Sequence, residues 1–546
     1  MLPGTRRRAA ALATALLLLT TTACGDDPEE SDLSGNRAGA MAGYGTGDQF
    51  KATEQVSFSI LYNNHSSYPI KDDWLFWTEL GKRTNVTLEP VVVPLSDYEQ
   101  KRSLLIGAGD APLIIPKTYP DQEDVFVSSG AILPVSDYLD LMPNFKDKIS
   151  KWKLEPEINT LRQDDGKFYL LPGLHEKQWH DYSLAIRTDI LEQLNLQVPK
   201  TWDDLYTVLK AMKAAHPDSY PLSERWSKPN PAGNLLNLLA VSHGLAGAGW
   251  AYKHASWDPE TEKFTYTGAT DKWKQVLQYL NKLVKEGLLD PESFTQTDDQ
   301  ARQKLANGRS FVIGSNAQTL VNDYRPDLAK TIPAAKLTKI PLPIGPAGEI
   351  NPAPRLENGI MISKKARDSK NFVAMMQFID WLWYSDAGQE FAKWGVEGIT
   401  YTKDSSGKRT LTPDVNVIGL NPSGSKHLQK DFGFYNGVFA YAGNTELVQS
   451  FFSPEEQEFQ KVMNARKPLA AITPPPYPFT DEEREQASLW ETPLKDHVVA
   501  SALQFALGQR DLGQWDAYLT ELKGKNMDQY LEMVNKAYER YQKEHG

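Results

Sequence analysis

The body of the chain opens with alternating apolar and polar residues, the pattern of a β-strand. Val56, Phe58, Ile60 and Tyr62 lie two residues apart, which is the side-chain period of a strand. The following pattern predicts a helix over residues 72–83, a strand over 85–93, a helix over 96–106 and a short apolar strand over 112–115. Strands that alternate with crossover helices predict a mostly parallel sheet with helices on both faces.

A second unit of the same kind begins further along the chain. A strand is predicted over residues 183–186, a helix over 189–194 and an amphipathic helix over 202–215. A later helix over 371–394 carries Met375, Met376 and Trp383 on an apolar stripe, so we interpret these three as core residues rather than site residues. The proline-rich segments 340–354 and 473–478 are predicted to be extended crossings or surface arms.

Ligands of such sheets bind beyond the carboxyl ends of the strands. Polar and aromatic residues follow two of the predicted strands at that position, and we expect them to form one wall of a cleft: Asn63, Asn64, His65, Lys117, Thr118 and Tyr119. The alternative is that each of them is a polar turn residue.

The first residues have the pattern of an export signal. Residues 6–8 are three arginines and an apolar run covers residues 9–19, which is shorter than the roughly 20 residues of a membrane-spanning helix. Residues 1–23 are therefore predicted to be a cleaved signal peptide.

Cys24 is the only cysteine, so an internal disulfide is excluded. Its place after a small residue resembles the lipid-acceptor cysteine of bacterial lipoproteins, although Thr21 stands where that pattern has leucine. The resemblance implies a palmitate-bearing anchor on the extracellular face of the bacterial cell membrane. The alternative is an ordinary secreted protein. Residues 24–50 hold few large apolar side chains and are predicted to be a flexible tether.

The remaining body of roughly 500 residues exceeds a single core and predicts at least two lobes. The net charge is −11, and it becomes −14 without the three arginines because residues 1–23 contain no acid. A body this acidic argues against nucleic acid or another anionic polymer as its partner.

Several motifs in order along the chain resemble family 1 extracellular solute-binding proteins, and especially their large oligosaccharide-binding lipoproteins. These motifs are Asp165-Gly166-Lys167 with Tyr169 and Pro172, Arg187 and Asp189 before Pro199 and Thr201-Trp202, Glu286-Gly287-Leu288, Asn307-Gly308-Arg309, Trp394-Gly395, and Ala537-Tyr538. Together they span roughly residues 55–541.

This resemblance implies an α/β, two-lobed, periplasmic-binding-protein-like fold in which each lobe has a mostly parallel sheet flanked by helices. It places residues 50–170 with 300–355 in one lobe and residues 171–299 with 356–546 in the other. It further implies a monomer that clamps a sugar or oligosaccharide between the lobes and delivers it to the permease subunits of an ABC transporter. No catalysis and no cofactor are expected.

Relatives that resemble the alginate-binding proteins carry a calcium loop after the helix that corresponds to residues 202–215. Here residues 214–221 contain a single carboxylate, Asp218. Because calcium requires about 6–8 oxygen ligands, no bound metal is predicted.

Sugars have apolar C–H faces and hydroxyl edges, which aromatic platforms and planar polar groups recognise. Segments that are polar, aromatic and poorly periodic supply the candidates. The possible platforms are Trp179, Tyr182, Trp226, Trp250 and Trp257, and the possible edge contacts are Asn316, Arg355, Asn358, Glu397 and Tyr435. Each could instead be a core or a solvated residue.

Three other readings stay open. A secreted carbohydrate-active enzyme needs two carboxylates at a defined separation, and 70 acidic residues give no means of choosing them. His175 and His180 are five residues apart, whereas the two histidines of a helical zinc motif are four residues apart. They would therefore not share one face of a helix, which argues against a zinc site. A binder of peptides or other polar metabolites, or a purely structural surface lipoprotein, are the remaining alternatives.

Overall fold

The computed structural model describes residues 33–225, 233–245, 252–468 and 474–545. The strands are β1 Val56–Asn64, β2 Val86–Pro94, β3 Ile114–Thr118, β4 Leu171–Leu174, β5 Ser183–Arg187, β6 Ala255–Asp258, β7 Lys263–Tyr266, β8 Val312–Ser315, β9 Leu337–Ile340, β10 Ile350–Asn351, β11 Leu356–Ile362, β12 Tyr401–Lys403, β13 Arg409–Leu411, β14 Val415–Asn416, β15 Lys426–His427 and β16 Lys467–Pro468.

The helices are α1 Leu75–Thr84, α2 Tyr98–Gly107, α3 Asp124–Val127, α4 Pro143–Trp152, α5 Glu155–Asn159, α6 Thr188–Gln193, α7 Trp202–Ala215, α8 Gly233–Ser242, α9 Asp271–Lys285, α10 Asp298–Ala306, α11 Ala317–Thr319, α12 Arg325–Thr331, α13 Phe372–Ile379, α14 Asp386–Trp394, α15 Leu428–Phe432, α16 Thr445–Gln449, α17 Pro454–Asn464, α18 Asp481–Ala506, α19 Trp515–Lys523 and α20 Met527–His545. Short 3-10 or π turns lie at Ser34–Asn36, Leu95–Asp97, Val135–Leu141, Thr267–Ala269, Pro291–Phe294, Leu320–Tyr324, Lys364–Asp368, Asp380–Tyr384 and Leu512–Gln514.

The first sheet has the strand order β2-β1-β3-β11-β4. Strand β1 is parallel to β2 and β3, whereas β11 runs antiparallel between β3 and β4. Side chains of β1 alternate between two apolar clusters, with Phe58, Ile60 and Tyr62 on one face and Leu61 on the other. The alternation along β1 therefore places apolar side chains against a core on each face of this sheet.

The second sheet has the order β8-β5-β9, and β5 is antiparallel to both neighbours. Leu184 and Ile186 face one apolar cluster and Ala185 faces another. The expectation of a mostly parallel sheet in each lobe is therefore wrong for the second lobe. Residues 188–311 separate β5 from β8, so β8 does not follow β5 through a single crossover helix, and β9 follows β8 through α11 and α12.

Two large cores divide the chain into two lobes. The first lobe comprises residues 33–174 and 356–452, and the second comprises residues 183–342 and 459–545. The predicted boundaries are corrected in three places. Residues 171–174 belong to the first lobe because β4 pairs with β11. Residues 300–342 belong to the second lobe because β8 and β9 pair with β5, and residues 356–452 belong to the first lobe because β11 inserts between β3 and β4.

Residues 33–50 form an N-terminal arm that packs on the first lobe. Phe50 is fully buried in the first core, and the Asn36 amide donates to the backbone carbonyls of Arg367 and Ser369 at 2.9 and 2.8 Å. The Tyr44 hydroxyl donates to Asp380 at 3.0 Å. The predicted flexible tether is therefore wrong for these residues, because a few apolar and amide side chains fix the arm. Residues 1–32, including the predicted signal peptide and Cys24, lie outside the described residues.

The long helix predicted over residues 371–394 is divided into α13, a π turn and α14. The division falls at Ser385, whose hydroxyl accepts from the Gly388 amide and caps α14. Met375, Met376 and Trp383 are buried in the first core, so their interpretation as packing residues is confirmed. Within the described ranges no helix is both long and apolar enough to cross a membrane.

Candidate ligand-binding cleft

The chain crosses between the two cores three times, at residues 175–182, 343–355 and 453–458. Side chains of the crossings bind residues at the edges of the lobes. His175 Nε2 lies 2.8 Å from Glu357 Oε2, and Gln460 Nε2 donates to the His180 carbonyl at 2.7 Å. Multiple crossings of this kind form a hinge about which two lobes open and close.

Glu357 is the central charge of the hinge. Burial opposes its ionisation, but the hydrogen bond from His175 and the charges of Lys117 and Lys393 hold its pKa below the ordinary value. Burial lowers the pKa of Lys393 to about 8, and Glu357 partly offsets this effect. Asn358 is fully buried and its amide donates to Glu357 at 3.0 Å. Asn358 therefore positions the hinge carboxylate rather than a ligand, which corrects its predicted role.

Predicted site residues from both lobes meet beside this hinge. Tyr119 follows β3 in the first lobe, Tyr182 lies on the first crossing, and Asn316 follows β8 in the second lobe. Burial raises the pKa of Tyr182, the charges of Asp181 and Tyr119 raise it further, and the Asn316 side chain hydrogen-bonds its hydroxyl. Tyr119 is 48% exposed, so its ring is available to a ligand.

Tyr435 and Asp181 lie in the same place. The Tyr435 ring stacks on Phe451 with centroids 4.3 Å apart, and its pKa is raised by burial and by the charges of Asp181 and Glu357. Burial raises the pKa of Asp181 to about 7, although Lys339 opposes the rise. Asp181 was not among the sequence candidates. Its position next to Tyr182 was the one available signal.

Two side chains of the predicted wall after β1 form hydrogen bonds within the turn that follows the strand. Asn64 accepts from the Ile70 amide at 2.9 Å, and His65 Nδ1 accepts from the Ser67 amide at 3.1 Å. The His65 ring stacks on Tyr68 at 4.2 Å. Burial lowers the pKa of His65 while the charge of Asp323, a second-lobe residue, raises it. His65 therefore faces the other lobe, while Asn63 is half-buried at the end of β1.

A cavity of about 570 Å³ lies between the lobes next to Tyr119. Its first-lobe wall consists of residues 120, 121, 123–125 and 160–163. Its second-lobe wall consists of residues 252–255, 474–479, 484, 487, 488, 491, 492, 495 and 530. The volume is typical of small-molecule sites. The sequence predicted Tyr119 as a wall residue but none of the residues after it, and it predicted residues 473–478 only to be extended. The cavity was therefore missed.

Three polar contacts join the lobes around the cavity. Lys253 Nζ lies 2.6 Å from Asp121, and Arg540 lies 3.5 Å from Asp164. Arg484 Nη2 donates to Gln163 Oε1 at 2.8 Å. Each contact pairs a cation of the second lobe with an acceptor of the first lobe, so together they hold the lobes close to each other.

Asp124 is connected to these contacts. Gln163 Nε2 donates to Asp124 Oδ1 at 2.7 Å, which completes a relay from Arg484 to Asp124. Burial raises the pKa of Asp124 to about 7, the charge of Asp121 adds to the rise, and Arg484 and Gln163 oppose it. Burial and the charges of Asp124 and Asp121 also raise the pKa of Glu123.

The structure gives three predicted ligand contacts other roles. The Trp257 ring packs against Phe264 and Tyr538 at 5.1 and 4.9 Å, so hairpin packing occupies it. Arg355 forms an ion pair with Glu157 and donates to the Trp152 carbonyl, so contacts within the first lobe engage most of its guanidinium. Glu397 lies in a turn where a β-bridge joins it to Tyr401, and it is exposed to solvent.

Three tryptophans remain among the predicted aromatic platforms: Trp179, Trp226 and Trp250. Trp179 is half-buried on the first crossing, 5.7 Å from the His175 ring and 6.2 Å from the Phe452 ring. Trp226 and Trp250 lie outside the described residues.

The place where some relatives carry a calcium loop has a different construction here. Lys213 Nζ donates to the carbonyls of Pro217 and Ser219 at 2.8 Å each, so the Lys213 ammonium group binds carbonyl oxygens of this loop. In the part of the chain that the structure describes, no three His, Cys, Asp or Glu side chains are grouped to hold a metal ion.

Comparison with known proteins gives one family and several relatives. The model of the bacterial extracellular solute-binding protein family matches residues 68–390. The fructooligosaccharide ABC transporter substrate-binding protein FusA of Streptococcus pneumoniae serotype 4 is 23% identical over 475 residues, covering 82% of this chain and 83% of the relative. The polygalacturonan/rhamnogalacturonan-binding protein YtcQ of Bacillus subtilis is 24% identical over 355 residues, covering 63% and 66%.

Solved structures share the architecture. The alginate-binding protein AlgQ2 without calcium ion superposes with a TM-score of 0.69 at 22% identity, covering 90% of this chain and 99% of that one. FusA in complex with kestose gives a TM-score of 0.63 at 20% identity, covering 90% and 100%. These likenesses confirm the two-lobed, periplasmic-binding-protein-like α/β fold predicted from the sequence.

Proposed function

The chain belongs to the bacterial extracellular solute-binding proteins, and from this membership we propose that it is the substrate-binding component of an ABC importer for oligosaccharides. In this role it captures the sugar between its lobes and presents it to the permease subunits without altering it. The observation that carries the proposal is the cavity of about 570 Å³ between two lobes that are joined by three crossings.

The chemistry of the cleft suits a sugar. The half-buried Tyr477 lines the cavity, and Tyr119, which directly precedes the cavity residue Pro120, is 48% exposed, so these two rings are available for the C–H faces of pyranose or furanose rings. Carboxylates and amides of the same wall can accept and donate hydrogen bonds at hydroxyl edges. We propose Tyr119, Tyr182, Asn316 and Tyr435 as further contacts at the hinge side.

Capture requires no push from the ligand. Open and closed arrangements are in equilibrium, and a sugar that contacts both lobes binds the closed arrangement better. A micromolar ligand has about −8 kcal/mol of binding free energy, which exceeds the few kcal/mol that separate such states. The closed arrangement is the form that the permease recognises in this proposal.

We also propose that Cys24 carries the lipid that holds the protein, as a monomer, on the extracellular face of the cell membrane. The family is extracellular, and one further relative is the Bacillus subtilis lipoprotein LipO, 24% identical over 251 residues. Metabolic labelling with a palmitate analogue tests this part, since Cys24→Ser should abolish the label and release the protein from membranes.

Thermal unfolding against mono- and oligosaccharides tests the binding function. A ligand at ~100 times its dissociation constant stabilises the folded form by about 2.7 kcal/mol, so a selective rise in melting temperature is expected, with the sugar recovered unaltered. Recovery of a cleaved sugar would favour the secreted enzyme. A response only to peptides or to other polar metabolites would assign the ligand to that class instead.

A further inference from the structure

An irregularity in strand β3 determines the direction of the Lys117 side chain. The register of the pairing between β3 and β11 shifts between Gly359 and Met361. Two residues of β3, Pro116 and Lys117, therefore lie opposite the single residue Ile360. Such a β-bulge turns a side chain away from the direction that a regular strand would give it, and bulges of this kind are frequent next to functional sites.

Lys117 has a left-handed backbone conformation, with a φ of 57°. The Cβ of an L-residue is crowded in this region, which glycine adopts more readily. Two buried side chains of α2 hold the bulge in place. The Tyr98 hydroxyl donates to the Pro116 carbonyl at 2.6 Å, and Arg102 Nη1 donates to the Lys117 carbonyl at 2.9 Å. The surrounding structure thus maintains a strained conformation at Lys117, which is typical of ligand-binding positions.

The ammonium group of Lys117 lies at the hinge side of the cleft. Its Nζ is 6.0 Å from the centroid of the Tyr119 ring, and a Cβ on Gly437 would lie 3.7 Å from it. Its positive charge is close enough to act on His65 and Glu357. The bulge therefore directs this side chain toward the first-lobe residues that border the hinge.

The protein provides no acceptor for this ammonium group. Among the residues that the structure describes, none forms a hydrogen bond or an ion pair with Lys117 Nζ, which stays accessible to solvent. The carboxylate of Glu357 already accepts from His175 at 2.8 Å, from the Asn358 amide at 3.0 Å and from the Ala442 backbone amide at 3.2 Å. An ammonium group has three donors and no acceptor, so these donors are available to oxygen atoms of a ligand.

We propose that Lys117 is a ligand-contacting residue whose ammonium group donates to hydroxyl oxygens of a sugar that lies against the Tyr119 ring. The inference rests on the proposed function and adds a residue whose strained backbone serves binding. A sugar unit has hydroxyl oxygens at its edge and C–H groups on its face. An ammonium group 6.0 Å from an exposed aromatic ring can therefore bind the edge and the face of one unit together.

The variant Lys117→Gly separates strain from binding. Glycine suits a φ of 57°, so the denaturation midpoint of K117G should equal or exceed that of the wild type. Its affinity for the sugar should fall at least about ten-fold, because hydrogen bonds from a charged donor are lost. The matched control is Lys153→Gly. Lys153 has a φ of 54° at the end of α4 and is exposed, so K153G should also keep or raise the midpoint, but with wild-type affinity.

Two further variants test the charge itself. Lys117→Met keeps a long side chain at the bulge without the ammonium group, so it should lose affinity to the same extent as K117G. Lys117→Arg keeps a cationic donor and should retain most of the affinity.

Titration calorimetry on the full chain measures these affinities. The ligands are fructo-, gluco-, galacto- and manno-oligosaccharides and oligogalacturonates, and the sugar that binds the wild type most tightly serves as the probe. Wild-type affinity for the probe in K117G or in K117M overturns the inference and leaves the proposed function standing. Failure of every sugar to bind the wild type overturns both.

Monodeoxy analogues of the probe distinguish a direct contact from an effect on lobe closure. A change in the population of the closed form multiplies every apparent affinity by the same factor, so it leaves the ratio between two sugars unchanged. If Lys117 contacts the sugar, the analogue that lacks the contacted hydroxyl binds the wild type more weakly than the probe does, and this difference shrinks in K117M. If K117M leaves the ratio unchanged for every monodeoxy analogue, Lys117 makes no such contact and the inference falls.

Discussion

Protonation of Asp124 should strengthen ligand capture, so affinity should fall as the pH rises through neutrality. The groups that face this carboxyl are Asp121 and Glu123 on its own segment, Gln163 in the first lobe, and Lys253, Tyr477 and Arg484 in the second lobe. Its pKa is about 7 in the structure, where the lobes are in contact around it, chiefly because of burial. Opening the lobes removes second-lobe residues from around it and returns it toward the ordinary value of about 3.9.

The direction follows from linkage. A carboxyl whose pKa is raised on closing favours the closed form when it is protonated, and this contribution is lost as the pH rises through about 7. Between about pH 6 and pH 8 the protonated fraction of such a group falls from about nine-tenths to about one-tenth, which weakens closure by about 1.4 kcal/mol, or about ten-fold in affinity.

Calorimetric titration of a neutral sugar across that range measures the effect. Asp124→Asn keeps an oxygen that can accept from Gln163 but cannot ionise, so its affinity should no longer decline with pH. Asp137→Asn is the control, because Asp137 pairs with Lys167 within the first lobe at 2.7 Å. Asp181 also has a pKa of about 7, and D181N measures any contribution from the hinge. If D124N declines with pH as steeply as the wild type, the role given to Asp124 is wrong.

Three further predictions concern stability and are read from chemical denaturation midpoints. Phe50→Ala should cost about 3–5 kcal/mol, since it empties a fully buried site beneath the N-terminal arm, whereas Leu489→Ala, 64% exposed, should change stability by less than about 0.5 kcal/mol. Tyr44→Phe should cost about 1–2 kcal/mol by removing a hydrogen bond to a buried carboxyl group. Gly359→Ala should cost at least about 1–3 kcal/mol, because its Cβ would lie 2.1 Å from a backbone carbonyl oxygen of the adjacent segment; wild-type stability in this variant would refute the packing at β11.

Local pattern predicted local structure well where one face of an element is buried. The alternation at Val56–Asn64 and the stripe at Trp202–Ala215 correspond to β1 and α7. In α7 the reciprocal bonds of Thr201 and Asp204 fix the start of the helix. Lobe membership was beyond such patterns, because β11 joins β3 and β4 across more than 180 residues and no local signal specifies that pairing.

The candidate site divides in the same way. Tyr119 was predicted from its place after a strand, and Tyr182 and Asn316 were predicted from segments that are polar or aromatic and poorly periodic; the structure brings them together beside the hinge, and their contact with a ligand stays a prediction. Arg484 and Gln163 could not be predicted, because they are 321 residues apart and meet only when the two lobes are packed. The Trp257 prediction failed for a related reason: tryptophan in a hairpin packs as readily as it binds, and its neighbour Tyr538 comes from α20.

The arrangement of charges also determines what closure costs. The hinge pairs His175 with Glu357 and Lys339 with Glu456 at 2.8 and 2.7 Å, and the groups of each pair lie on crossings or at the adjoining edge of one lobe, so opening need not separate them. The three contacts around the cavity join different lobes and must break when the lobes part. Each half-exposed contact of that kind contributes about 0–1 kcal/mol, so together they bias closure by at most about 3 kcal/mol. A bias of this size is smaller than the binding free energy of a micromolar ligand, so ligand binding still determines whether the lobes close. Because exposed ion pairs are screened by salt, added salt should shift the ligand-free protein toward the open form.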